Sequence, residues 1–160
     1  MKKILVIGSS GQIGSELVPA LRQKYGRESV IEADIKTRAA LRNEDIFLHL
    51  DALDKTALSK IVRDHEVDTI YHLASILSAT GEKMPQTAWN LNMNSLINVL
   101  EVGRGFNVER IVWPSSIAAF GPSTPKENTP NDTLLRPTTM YGVTKVAGEL
   151  LLEYYFRKYG

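Results

Sequence analysis

Seven residues constrain this chain more than any others. Gly8-Ser9-Ser10-Gly11-Gln12-Ile13-Gly14 forms a G-x-x-G-x-x-G turn between an apolar run and an amphipathic one. Before it, Lys3-Ile4-Leu5-Val6-Ile7 is continuously apolar after its lysine, the pattern of a strand buried on both faces. After it, residues 12–25 carry Ile13, Leu17, Val18 and Leu21 at helical spacing, with Gly26 as a stop. Pro19 falls inside that pattern and predicts a bend or a lost turn. Glycine is needed where a chain turns tightly, where backbone approaches a phosphate group, and where a helix closes on a strand. The amides and dipole of the following helix then favour phosphate charge. Ordinary strand-to-helix turns also contain glycine, so the motif needs support from the rest of the chain.

That support begins at Val30-Ile31-Glu32-Ala33-Asp34, which reads as a second strand. Asp34 ends it about 20 residues after Gly14, where a carboxylate can accept both hydroxyls of an adenosine ribose. It would repel a 2′-phosphate, which favours NAD over NADP. Lys36 and Arg38 follow closely and leave that preference open.

Strand-like and helix-like segments then alternate. Residues 46–50, 69–73 and 110–113 read as strands, and residues 56–65, 84–106 and 141–159 as helices. Residues 36–44 are polar and read as a loop or short helix. Residues 115–140, rich in Pro, Thr, Ser and Asn, form a loop long enough to expect a function of it. The alternation predicts an α/β fold, a Rossmann-type doubly wound parallel sheet with helices on both faces. The expectation is one NAD-binding domain over residues 1–160. The last helix stops at Gly160, where such a fold returns to another strand, so the C-terminal strands and a substrate subdomain are expected outside this chain.

Tyr141 and Lys145 lie four residues apart, on one face of the predicted last helix. Removing hydride from an alcohol needs a base beside the hydroxyl. A free phenol titrates at about 10, and a nearby ammonium lowers that value. The same ammonium can hold a nicotinamide ribose. Ser115 and Ser116 follow the fifth strand and bring hydroxyls to the same end of the sheet. Y-x-x-x-K alone is common on solvated helices; turn, acid, serine and Tyr–Lys in this order are not.

Composition excludes other classes. The chain has 160 residues, 43% hydrophobic and 23% charged, with a formal net charge of +1. Such a balance carries no nucleic-acid footprint. No apolar run approaches the roughly 20 residues of a membrane span. There is no cysteine, which excludes thiolate metal sites and fits a reducing, cytoplasmic setting. His49, His65 and His72 lack metal-ligand spacing, so no metal is expected. His72 reads as a core residue, Trp89 and Trp113 as packing residues, and Glu149 and Glu153 as the exposed side of the last helix.

With these motifs in place, the chain resembles the extended short-chain dehydrogenases/reductases, the NAD-dependent epimerase/dehydratase family, over nearly its whole length. The resemblance rests on the glycine turn, Asp34, Asp51-Ala52-Leu53-Asp54, His72-Leu73-Ala74, Asn92 and Y-x-x-x-K. It implies NAD as cofactor, held by Gly8, Gly11, Gln12, Ile13, Gly14, Asp34, Asp51, Ala52, Leu73, Ala74, Asn92 and Lys145. Asp51 would contact adenine, Ala74 would line the cofactor through its backbone, and Asn92 matches a structural asparagine. Ser116 would hydrogen-bond the reacting oxygen, Tyr141 would be the acid/base, and Lys145 its partner.

Within the family, residues 77–82 with Pro85 and Trp89, and residues 113–121, resemble the short-chain-type L-threonine 3-dehydrogenase branch. So does the ending, residues 154–160. The resemblance implies an amino-acid substrate, L-threonine, with Ser78, Thr80, Ser116 and Tyr141 in contact with it. It also implies a homodimer paired through the long helices. Two alternatives stay open: a nucleotide-sugar epimerase or dehydratase that recycles its NAD, and a catalytically silent NAD-binding module.

Overall fold

The computed structural model describes residues 2–36 and 45–160. Of the loop or short helix expected over residues 36–44, only Lys36 lies within the described residues; Arg38 lies outside them. The chain divides into two compact units, Met1–Ala74 with Ser95–Pro114 and Ser75–Asn94 with Ser115–Gly160.

The first unit is a five-stranded sheet of β1 (Ile4–Ile7), β2 (Val30–Asp34), β3 (Ile46–His49), β4 (Thr69–His72) and β5 (Arg110–Val112). The strands are parallel and ordered β3-β2-β1-β4-β5. This is the Rossmann-type order that the strand–helix alternation predicts. Side chains alternate across a strand, and β1 uses both sides. Leu5 and Ile7 pack with Leu58 and Val62 of α2 (Lys55–Asp64) and Val99 and Val102 of α5 (Ser95–Gly105). Ile4 and Val6 pack with Val18 and Leu21 of α1 (Gln12–Tyr25) on the other face. An uninterrupted apolar run is therefore what a central strand between two helical layers requires. Each such side chain contributes about 1.5–3 kcal/mol by leaving water.

Local signals set the helix ends. Asp54 caps α2 by accepting from the Ala57 amide at 2.9 Å. α1 stops at Gly26, whose φ of +91° suits glycine and whose amide donates to the Arg22 carbonyl at 3.0 Å. α1 runs through Pro19, which lies on its exposed side.

One residue in the sheet breaks the apolar rule. Glu32, in the middle of β2, is completely buried. Arg22 of α1 meets its carboxylate at 2.8 Å and lies 3.4 Å from Asp45, which Arg27 binds at 2.6 Å. A buried charge is tolerated when it is paired in this way.

The second unit is helical. It holds α3 (Ser78–Lys83), α4 (Pro85–Trp89), a π turn (Asn90–Asn94), a 3-10 turn (Ile117–Ala119) and α6 (Met140–Tyr159). The long helix expected over residues 84–106 is thus three consecutive pieces, since a π turn separates α4 from α5. α3 falls between the strand expected over residues 69–73 and the helix expected over 84–106, where the sequence pattern assigns no element. Trp89 is 44% exposed, which corrects its reading as a packing residue. Two side chains begin α6: Thr139 accepts from the Gly142 amide at 3.0 Å, and Glu82 of α3 accepts from the Met140 amide at 2.6 Å. Among the described residues, no helix is long and apolar enough to cross a membrane.

Candidate functional site

In the first unit the glycine turn is shaped by contact on one side and openness on the other. Gly8 has a φ of +84°, and a Cβ placed on it would lie 2.6 Å from the Ala74 nitrogen. A Cβ on Gly14 would lie 2.6 Å from the Gly8 carbonyl oxygen and from Ser9 Cα. These two glycines are required by the fold itself. Gly11 is different, because its Cβ would meet only the Gly8 carbonyl oxygen, at 3.3 Å. It is also the N-cap of α1, where no side chain caps the helix and no acid occupies the first turn. The first amides of a helix have no carbonyl of their own to bind, and they attract anions. The open side of Gly11, beside the amides of Gln12, Ile13 and Gly14, therefore fits the pyrophosphate of a dinucleotide.

Asp34 sits beside this turn, half-buried at the end of β2. Its Oδ2 accepts from the Ser10 amide and its Oδ1 from the Lys36 amide, both at 2.9 Å. The Ser10 hydroxyl donates to the Lys36 carbonyl at 2.7 Å. Each carboxylate oxygen keeps a further lone pair, which can accept a ribose hydroxyl. Asp51 is exposed and accepts from the Leu53 amide at 2.9 Å. Ala52 is buried. The carbonyls of Ala52 and Leu53 accept from Asn98 of α5, at 3.2 and 3.1 Å. The amide of Leu73 donates to the Ile7 carbonyl at 2.8 Å, which brings Ala74 against Gly8. His72 is completely buried and 2.9 Å from the Ser95 hydroxyl.

In the second unit, the ammonium of Lys145 lies 5.3 Å from the centre of the Tyr141 ring. Lys145 is 3% exposed. Burial lowers its pKa from 10.5 to about 8, while the Glu149 carboxylate opposes the fall. Ser116 caps the 3-10 turn by accepting from the Ala118 amide at 3.2 Å, which leaves its own O–H free to donate elsewhere. That turn packs on α6 so tightly that a Cβ on Gly142 would lie 2.2 Å from the Ala118 carbonyl oxygen. The Ser115 hydroxyl instead donates to Glu149. Of two adjacent serines, one is committed to α6 and the other is available.

Asn92 lies in the π turn and is buried. Its carbonyl accepts from the Ile76 amide at 2.7 Å, and its NH2 donates to the Ile76 carbonyl at 3.0 Å and to the Thr144 hydroxyl at 3.1 Å. Thr144 in turn donates to the Tyr141 carbonyl at 2.8 Å. Asn92 thus braces the turn of helix between Tyr141 and Lys145, consistent with a structural asparagine. Ser78 opens α3 half-buried, and Thr80 is exposed on the same helix.

Sequence reasoning missed two members of this arrangement. Asn98 carries no signal beyond being a polar residue on a helix. Glu149 is four residues beyond Lys145, the same spacing that links Tyr141 to Lys145. It is half-buried and bonded to Ser115, which corrects its reading as part of the exposed side. Glu153, by contrast, is exposed and pairs with Arg157.

A parallel β3-β2-β1-β4-β5 sheet with a glycine turn at the C-terminal end of β1 defines a dinucleotide-binding α/β protein. The chain belongs to the NAD dependent epimerase/dehydratase family, whose model matches residues 4–160. It is 52% identical, over 163 residues, to an uncharacterized epimerase/dehydratase of Staphylococcus saprophyticus, covering 100% of this chain and 50% of that protein. Among solved structures, it matches L-threonine dehydrogenase from Clostridium difficile at 52% identity and a TM-score of 0.95. That match covers 100% of this chain and 50% of the other. A GalE-like L-threonine dehydrogenase from Cupriavidus necator, in its holo form, matches at 49% identity and a TM-score of 0.94, covering 99% and 52%. The chain therefore spans about half the length of the relatives it matches, and its cofactor is NAD.

Proposed function

We propose that this chain belongs to an NAD-dependent L-threonine 3-dehydrogenase and carries its Ser116, Tyr141 and Lys145 machinery. The observation that carries this reading is the likeness to solved L-threonine dehydrogenases at 52% and 49% identity. It is supported by the Tyr141–Lys145 approach of 5.3 Å and by the donor left available on Ser116.

In the proposed reaction Tyr141, as its phenolate, accepts the proton of the threonine β-hydroxyl, while Ser116 donates a hydrogen bond to the reacting oxygen. Lys145 presents a cation to the Tyr141 oxygen and to a ribose hydroxyl. Bound NAD supplies the acceptor for the hydride, and the product is 2-amino-3-oxobutyrate. Gly8, Gly11, Gln12, Ile13 and Gly14 would hold the pyrophosphate and Asp34 the adenosine ribose. Asp51 and Ala52 would line the adenine, and Leu73 and Ala74 the cofactor's flank. Asn92 supports this set by fixing the turn that bears Tyr141. Ser78 and Thr80 are assigned to the amino-acid substrate. Two copies would pair through the long helices, a reading supported by the exposed Leu150, Tyr154 and Phe156 of α6.

A second reading is favoured by the family description itself. A nucleotide-sugar epimerase or dehydratase would use the same residues and return the hydride within one turnover. Following NADH absorbance with NAD and L-threonine, then with UDP-glucose, separates the two. A steady rise with threonine supports the dehydrogenase. Sugar-nucleotide conversion without net NADH supports the second reading. Tyr141→Phe should abolish the threonine rate and leave NAD affinity within a few-fold. Retention of more than a few per cent of the rate would remove Tyr141 from the role of base.

A further inference from the structure

We propose that Glu149 is a positioning residue for the Tyr141–Lys145 pair, supplying the counter-charge to the Lys145 ammonium while Ser115 holds its carboxylate in place. The inference rests on the reading of Tyr141 and Lys145 as the reactive pair, and it is carried by geometry within the second unit. Lys145 and Glu149 are one turn apart on α6, so their side chains rise from the same face. Lys145 is almost wholly buried, and an ammonium withdrawn from water needs an opposite charge to keep its proton. The Glu149 carboxylate, one turn further along α6, opposes the fall that burial imposes on the Lys145 pKa. The carboxylate is not free to wander. The Ser115 hydroxyl donates to its Oε1 across 34 positions of sequence and ties it to the segment that enters the 3-10 turn.

Among the described residues, the helices and turns that pack most on α6 offer few other charges. These elements are α3, α4, the π turn and the 3-10 turn. α4, the π turn and the 3-10 turn contain no charged residue. α3 contributes Glu82 and Lys83, and the Glu82 carboxylate is occupied by the Met140 amide. On α6, Tyr141 is the hydroxyl group that Lys145 serves, and Glu153 is bound to Arg157. This division also separates the two serines: Ser115 serves Lys145 through Glu149, and Ser116 keeps its proton for the reacting oxygen.

The test reads the charge of Lys145 directly and needs neither substrate nor NAD. Lysines of the whole chain are labelled with 13C at Cε, and the Lys145 signal is assigned by its loss in Lys145→Arg. In the unsubstituted protein this signal should titrate at about 8. In Glu149→Gln, which keeps the shape and removes the charge, the midpoint should fall by roughly one unit, and Glu149→Asp should recover part of the shift. Ser115→Ala should move it the same way by less. A folded Glu149→Gln protein whose Lys145 titrates unchanged would overturn the proposal. Should Glu149→Gln fail to fold, an unchanged midpoint in Ser115→Ala overturns it instead. A purely structural role for Glu149 would lower the melting temperature and leave the Lys145 midpoint where it was. Absence of threonine oxidation would count against the proposed function and leave this titration readable.

Discussion

Gly8 and Ala74 are in such close contact that a methyl group on Gly8 would lie 2.6 Å from the Ala74 nitrogen. The end of β1 and the residue just beyond β4 are thereby fixed against each other at the lip of the nucleotide turn. The positive φ of Gly8 adds a second reason for glycine. Gly8→Ala should cost about 2–4 kcal/mol of stability through combined overpacking and backbone strain. Gly11→Ala, with one contact at 3.3 Å, should cost much less stability and act mainly on NAD affinity. Urea unfolding and dinucleotide titration of both variants would show this contrast. Equal losses of stability would count against it.

Asp34 has two roles, since it accepts from the Ser10 and Lys36 amides and is placed to meet a ribose. Asp34→Ala should weaken NAD at least tenfold, about 1.4 kcal/mol, and relax the rejection of NADP. Calorimetric titration with both dinucleotides measures the two effects together. An unchanged preference would show that the ribose is held by other residues.

Lys145 gives a stability effect whose sign depends on pH. Its pKa is about 8 in the folded chain and 10.5 when exposed, so between these values the unfolded chain binds more protons. Stability from this group therefore rises with pH across that window, as the cost of burying its charge disappears. Lys145→Met should be more stable than the unsubstituted chain at pH 7, and its advantage should shrink between pH 8 and 10.5. Denaturant unfolding at pH 7 and pH 9.5 measures this, and an advantage that grows with pH would contradict it.

The buried Arg22–Glu32 pair makes the opposite kind of prediction. Arg22→Met takes the guanidinium at 2.8 Å away from a fully buried carboxylate and should cost about 3–5 kcal/mol. Arg22→Met combined with Glu32→Leu should recover much of that loss, because the fully buried carboxylate at position 32 is then gone. A double variant as unstable as the single one would mean that Asp45 and Arg27 depend on Arg22 more than Glu32 does.

The sheet was legible because its signal is strong and local. β1 had to be apolar at every position, α1 kept its period from Gln12 to Tyr25, and Gly26 ended it. The less visible features share a different cause. A π turn of five residues differs from an α turn by too little to alter an apolar pattern, so residues 84–106 read as one helix. α3 spans six residues, mostly small or polar, and offers no period to read. Glu32 looks like any acid in a strand until Arg22 is seen opposite it. Tyr141 and Lys145 stood out through their spacing, whereas Glu149 shares that spacing and was hidden because an acid late in a helix usually faces water. The two-sided choice between Ser115 and Ser116 could be made only from their hydrogen bonds.

β1 touches helices through both of its faces, while edge strands β3 and β5 are only partly covered. The nucleotide turn is therefore mounted on a strand that is buried at every position. A turn held by such packing should lose little entropy when a ligand arrives. Tolerance to substitution should follow the same gradient: a polar residue anywhere in β1 would disturb two helical layers at once, whereas β3 and β5 are only partly buried. The positions least tolerant of a polar side chain are thus the apolar residues of β1 that carry the turn.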